Sequence, residues 1–270
     1  MNDNDIVQEL VLSTLPLTLD ANKIGYYTLF STLPNAQLHD DPDLLWFETG
    51  IPLDLFNGVL RTRVEPNALP STIARVTTHF RQRRLPFLWH TGPSSQPVDL
   101  GSILLSRGMI HVEDEPGMAV DLNALNESIQ RSSRLIIQRV TTQEQLRQWV
   151  QVWGYGAPDE VTSIVLHTYA QLPLDTQSSL QFFLGTLDDK AVATSALFLG
   201  AGVASVKHVV TLHQTRRQGI GAAITLFTAQ EARRQGYRVG VLTASPMGIA
   251  IYRRLGFQEY CTFGTYETAE

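Results

Sequence analysis

Arg216, Arg217, Gln218, Gly219, Ile220, Gly221 and Ala222 put two cations and two glycines where a strand pattern gives way to a helical one. Before them Val203, Val206, Val209 and Val210 are β-branched, and after them Ile220, Ala223, Ile224 and Phe227 recur at i, i+3, i+4 and i+7. The first N–H groups of a helix have no intrahelical acceptor and lie at the positive end of its dipole, so such a junction can hold a phosphate. The glycines let that phosphate approach the main chain. Ala222 and Ala223 stand where a P-loop needs lysine and a hydroxyl residue, which argues against a nucleoside triphosphate. Ile224 stands where a dinucleotide fingerprint needs a third small residue, and Val239 to Thr243 offer no acid for a ribose.

The elements that follow narrow the chemistry. A helix from about Arg217 to Gln235 is stopped by Gly236, and Arg238 to Thr243 reads as a short buried strand. A second helix is expected with Ser245 as N-cap, Pro246 at its first position and Gly256 just past its end, and Tyr252 lies inside it. The run Ala250, Ile251, Tyr252, Arg253, Arg254, Leu255, Gly256, Phe257, at this distance after an Arg-x-x-Gly-x-Gly turn, resembles the GCN5-related N-acetyltransferase superfamily.

That resemblance implies an α/β fold with a mixed sheet in the C-terminal half, binding acetyl-CoA without a metal. It implies that Arg216 to Ala222 wrap the pyrophosphate and that Val209, Val210 and Thr211 offer main-chain groups to the pantetheine arm and the acetyl carbonyl. It also implies that Tyr252 protonates the departing thiolate; the residues alone leave open a core tyrosine satisfied elsewhere. Two positions depart from the family pattern. Ser245 replaces a common asparagine and serves only to cap or also to touch the cofactor, and His213 stands where proline is frequent.

The general base is harder to find. Val203 to Thr211 contains no carboxylate and offers Lys207 and His208; His208 has a suitable ordinary pKa, near 6.5, or else points into the core. Asp188 and Asp189 sit in a hairpin turn, where turn chemistry alone would put them. Trp153, Gly154, Tyr155 and Gly156 either wall a flat or apolar acceptor or pack their own loop.

At 270 residues, with a formal charge of −5, the chain is large enough for two domains and has no basic surface for nucleic acid. Its one cysteine, Cys261, excludes an internal disulfide and a paired-cysteine metal site, in keeping with a reducing cytoplasm. The opening residues Asn2, Asp3, Asn4 and Asp5 are unlike a secretory leader, and no run is long and apolar enough for a bilayer. The acceptor is expected to be a small-molecule or peptide amine, and the protein a monomer or homodimer.

Residues Asp121 to Ser133 are polar and weakly patterned, which suggests a linker and domains of about 1–130 and 131–270. Beyond it the pattern reads strand 135–140, helices 142–153 and 160–172, strands 180–187, 192–199 and 203–211, then helix, strand, helix, strand: the order of the superfamily. In the first half, 44–48, 59–64 and 86–90 read as strands, 71–83 as a helix capped by Ser71, and 98–107 as a helix stopped by Gly108. The run from Ile103 to Val112 mirrors that from Ala250 to Glu259, each a helix closing through glycine into a strand, which suggests an internal duplication. Two unrelated segments sharing ordinary helix punctuation would look the same. In the first copy the turn from Val64 to Pro70 has no glycine and carries Glu65, so that half is expected to be a degenerate copy without cofactor that shapes the acceptor side. Besides acetyl transfer to an amine, two other functions suit the pattern: a non-catalytic acyl-CoA sensor, and a tandem aminoacyltransferase of the same superfamily.

Overall fold

The computed structural model describes residues 6–129 and 132–269. The opening residues Asn2 to Asp5, and two positions inside the expected linker, lie outside that range. Contacts group the described residues into two units, 13–117 with 260–269, and 6–12 with 118–129 and 132–259. The division falls inside a strand rather than in the polar stretch 121–133, and each unit takes a segment from the other end of the chain. Among the described residues no helix is long and apolar enough to cross a membrane.

The N-terminal unit opens with helix α1 (Leu15–Thr28), then strands β1 (Gln37–Asp40), β2 (Leu44–Glu48) and β3 (Asn57–Thr62). Helix α2 (Leu69–Arg83), strand β4 (Leu88–Thr91), helix α3 (Leu100–Ser106) and strand β5 (Met109–Asp121) follow. Its strands lie in the order β1, β2, β3, β4 and then the last strand of the chain, with β3 parallel to β4 and the other pairs antiparallel. Helix α2 buries a stripe of Leu69, Ile73, Val76 and Phe80, whose spacing is that of one helical face. It begins two residues before Ser71, because Pro70 fits the first turn and leaves Ser71 Oγ to donate to Ala68 O at 2.8 Å. Phe80 stacks on Phe87 with centroids 4.3 Å apart, and Trp46, Phe47, Phe56 and Trp89 are buried as well.

The C-terminal unit runs β6 (Leu135–Arg139), α4 (Gln143–Trp153), α5 (Asp159–Tyr169), β7 (Leu180–Leu187), β8 (Lys190–Gly200), β9 (Val203–Thr211), α6 (Ile220–Arg234), β10 (Val239–Thr243), α7 (Ile249–Leu255) and β11 (Gln258–Thr268). Most of β11 belongs to the N-terminal unit; the end of β5, Met118 to Asp121, stands in the C-terminal one, where the order is β5, β10, β9, β8, β7, β6. Thr142 and Gln145 form a reciprocal capping box on α4, as its Thr-x-x-Gln sequence dictates. Strand β7 alternates between two helical layers: Phe182 meets Trp149 of α4 and Phe183 meets Phe227 of α6. Both faces of the sheet are therefore covered, which is why β7 and β8 are buried along most of their length. The two helix endings compared above both turn through glycines in the left-handed region, Gly108 at φ 83° and Gly256 at φ 105°.

Candidate functional site

Two irregularities in β9 build the site. Thr194 pairs with Val210 and Ala196 with Lys207, so Ser195 alone faces both His208 and Val209: a β-bulge. His208 sits in it at φ +54°, a conformation costly for a residue with a Cβ, and Thr194 Oγ1 donates to the His208 carbonyl at 2.9 Å. On its other edge β9 pairs in parallel with β10 only at Ala204 with Gly240 and Ser205 with Val241. Beyond that point β9 continues to Thr211 without β10 beside it, and a cavity of about 770 Å³ opens there.

After β9 the chain turns through left-handed geometry twice, with φ +61° at Arg217 and +74° at Gly219, and only then starts α6 at Ile220. The helix therefore begins three residues later than its pattern suggests. Alternation of this kind curls successive N–H groups toward one point, an anion-binding nest. Among the described residues the N–H groups of 217 to 222 meet no protein acceptor; the first one bonded in the helix is that of Ala223, to Gly219 O at 2.9 Å. Arg216 folds its Nε back onto Thr211 O at 3.1 Å. A Cβ at Gly221 would meet nothing closer than Thr211 Oγ1 at 3.4 Å, so the protein leaves room for a side chain there and the glycine keeps the space clear. The turn fits a diphosphate.

Of the expected residues, Val209, Val210, Thr211, Arg216, Arg217, Gly219, Ile220, Gly221, Ala222, Ser245 and Tyr252 line this cavity. Gln218 does not; its side chain is exposed, leaving only its N–H in the turn. Ser245 lines the cavity without capping α7. Its carbonyl accepts from Gly248 N at 2.8 Å and Ile249 N at 3.3 Å, so a turn precedes the helix and Gly248 takes the N-cap position. Tyr252 is nearly buried on the wall. Sequence reasoning missed Gly248, Met247, Ile251 and Arg254, and above all Asn126, Ser128 and Ile129, which were read as linker. The one local signal for the last three is a short polar run before the C-terminal unit, and linkers share it.

His208 is corrected. It does not line the cavity; it lies among aromatic residues on the α4 side. Trp153 donates its indole N–H to His208 Nδ1 at 3.1 Å, which leaves the proton of the neutral ring on Nε2, 3.3 Å from the Tyr169 hydroxyl. Burial, assisted by the neighbouring Lys207 charge, pushes the imidazole pKa down to about 3. A ring held this way is a fixed neutral donor and acceptor, not a base. Asp188 and Asp189 occupy the hairpin with positive φ, and Asp188 pairs with Arg134 at 2.9 Å. Trp153 stacks on Trp149, whereas Tyr155 stands exposed.

Among the described residues the N-terminal unit shows no matching turn. Ala68 and Leu69 give their N–H groups to Glu65 O at 2.9 and 3.1 Å, and Pro66 and Pro70 have none to give. Beside the end of β3, Gln96 N donates to Thr62 O at 2.8 Å, so the chain covers that edge with its own backbone.

No family model and no curated protein sequence matches this chain. Solved structures do. A GCN5-related N-acetyltransferase from Kribbella flavida superposes with a TM-score of 0.72 at 20% identity, over 93% of this chain and 96% of its own. One from Sphaerobacter thermophilus gives 0.61 at 16% identity over 86% and 75%. A tandem GNAT protein of the clavulanic acid biosynthesis pathway gives 0.60 at 14% identity over 92% and 88%. At such identities the likeness establishes the fold, which is that of these proteins.

Proposed function

We propose that this chain, built on the GCN5-related N-acetyltransferase fold, transfers the acetyl group of acetyl-CoA to a primary amine of a small molecule or peptide. The observation that supports the reading most is the row of acceptor-free N–H groups from 217 to 222, on the same cavity as the Tyr252 phenol.

Those N–H groups, with the positive end of α6, would hold the diphosphate. Arg216 and Arg217 add charge, and Gly221 admits the phosphate to the backbone. Past the bulge, Val209, Val210 and Thr211 present main-chain groups to the amide-bearing arm. When bound, acetyl-CoA supplies an activated acyl group as its thioester. As the carbon–sulfur bond breaks, the Tyr252 hydroxyl would give its proton to sulfur; the proton that the acylated nitrogen loses goes to solvent, and solvent restores the phenol. His208 takes no part in proton transfer and holds the bulge in shape. We place the activity in the cytoplasm, in keeping with the single cysteine.

The test is to mix the protein with acetyl-CoA and a library of primary amines while following thiol release. Amine-dependent release supports the proposal. Acetyl-CoA binding without release for any amine would make the chain a sensor, and no binding at all would remove the cofactor assignment.

A further inference from the structure

Arg254 lines the cavity from α7, whereas the glycine turn lines it from the start of α6. Its neighbours on the two helices are neutralised: Arg253 by Glu259, Arg233 by Glu127 at 2.8 Å and Arg234 by Glu231 at 2.6 Å. Among the described residues the Arg254 guanidinium has no carboxylate, and no acidic side chain lines the cavity.

A helix C-terminus should be a poor place for an anion, because its last carbonyls point outward with the negative end of the dipole. Here they are covered. Asn126 donates its side-chain Nδ2 to Arg254 O at 3.0 Å and its backbone N–H to Leu255 O at 3.1 Å. Its Oδ1 in turn accepts from Ser128 N at 3.0 Å, which folds the segment so that Asn126, Ser128 and Ile129 all meet the cavity. Glu127, the one carboxylate in that strap, is turned to α6, where it pairs with Arg233 and accepts from Gln230 Nε2 at 2.9 Å. The strap thus masks carbonyls, diverts an acid and brings Ser128 to the same cavity as an unneutralised guanidinium.

Resting on the acetyl-CoA reading above, we propose that Arg254 with the Asn126–Ser128 strap is a second anion subsite, specific for a phosphomonoester carried by the same ligand apart from its diphosphate. In coenzyme A that group is the 3′-phosphate of the ribose. Arg254 is then a specificity-determining residue that separates the coenzyme from its 3′-dephospho form.

Isothermal titration of the full-length protein with coenzyme A and with 3′-dephospho-coenzyme A decides it, using wild type, Arg254→Gln and Asn126→Ala. Wild type should bind the phosphorylated form about tenfold or more tightly, as expected for a charge-assisted phosphate contact. In Arg254→Gln the ratio should fall to near one through loss of affinity for coenzyme A alone. Asn126→Ala should lower the ratio in the same direction, and raising salt should shrink it in wild type. Equal wild-type affinities, or a ratio that survives Arg254→Gln, would overturn the subsite while leaving the acetyl-CoA reading in place. Failure of both ligands to bind wild type would overturn the two together.

Discussion

Gly248 abuts the ring of Tyr252 so closely that a methyl group on it would lie 2.5 Å from Cε2 and 3.2 Å from the hydroxyl oxygen. One turn of α7 thus sets the tyrosine against bare backbone. Gly248→Ala must displace the ring, since no real Cβ sits that close to carbon. It should lower turnover at least tenfold with little change in acetyl-CoA affinity, read from steady-state kinetics beside calorimetry. Unaltered turnover would mean that the position of the phenol is unimportant.

Tyr252→Phe removes the proton and keeps the ring. Turnover should fall by ~10²-fold or more while cofactor affinity stays near native, the split expected for a group acting in the transition state. Equal turnover of the two proteins would make Tyr252 a structural residue.

Gly221→Asp places a side chain and a negative charge in the space that Gly221 leaves clear, facing the N–H groups of the turn. Calorimetry should show acetyl-CoA binding lost in the variant and one equivalent bound per chain in wild type. A second equivalent of similar affinity, retained in Gly221→Asp, would reveal a working site in the N-terminal unit.

His208 is held neutral, its pKa depressed by burial from an ordinary 6.5 to about 3. As pH falls below 6.5 the unfolded chain takes up a proton that the folded ring refuses, so stability is fully present above 6.5 and is lost progressively toward pH 3. Urea midpoints measured from pH 7 to pH 4 should fall more steeply for wild type than for His208→Gln. The acidic limb of kcat/KM should keep the same apparent pKa in both; a limb near 6.5 that vanishes with His208 would restore it as the base.

Burial pushes the Cys261 thiol up to about 12, with the Asp20 carboxylate adding to the effect. Little thiolate forms at pH 8, and the nucleophile is the thiolate. Iodoacetamide labelling of the native protein followed by mass spectrometry should be at least tenfold slower than in denaturant. Equal rates would show an open, reactive thiol.

The glycine turn between β9 and α6 was legible in the sequence because its requirements are local. Gly219 must enter the left-handed region and Gly221 must stay bare, and a β-branched strand before them and an apolar helical stripe after them frame the junction within some twenty residues. For the same reason the strand and helix order of the C-terminal half followed from periodicity and punctuation. The first half was read only in part: α1 and β1 went unmarked, and the helix starts expected at Ser71 in this half and at Ser245 in the other were misplaced because serine also ends turns. Tertiary structure alone decided the rest. His208 is buried and hydrogen-bonded by Trp153 and Tyr169, which lie 55 and 39 residues away in the chain, and burial is what lowers its pKa. Asn126 became part of the cavity by reaching carbonyls 128 residues further on, and the polar run that contains it looks like any linker until α7 is beside it. A strand's partners are likewise fixed by burial of both its faces, not by the residues next to it, so only the folded chain could assign the last strand to the N-terminal unit.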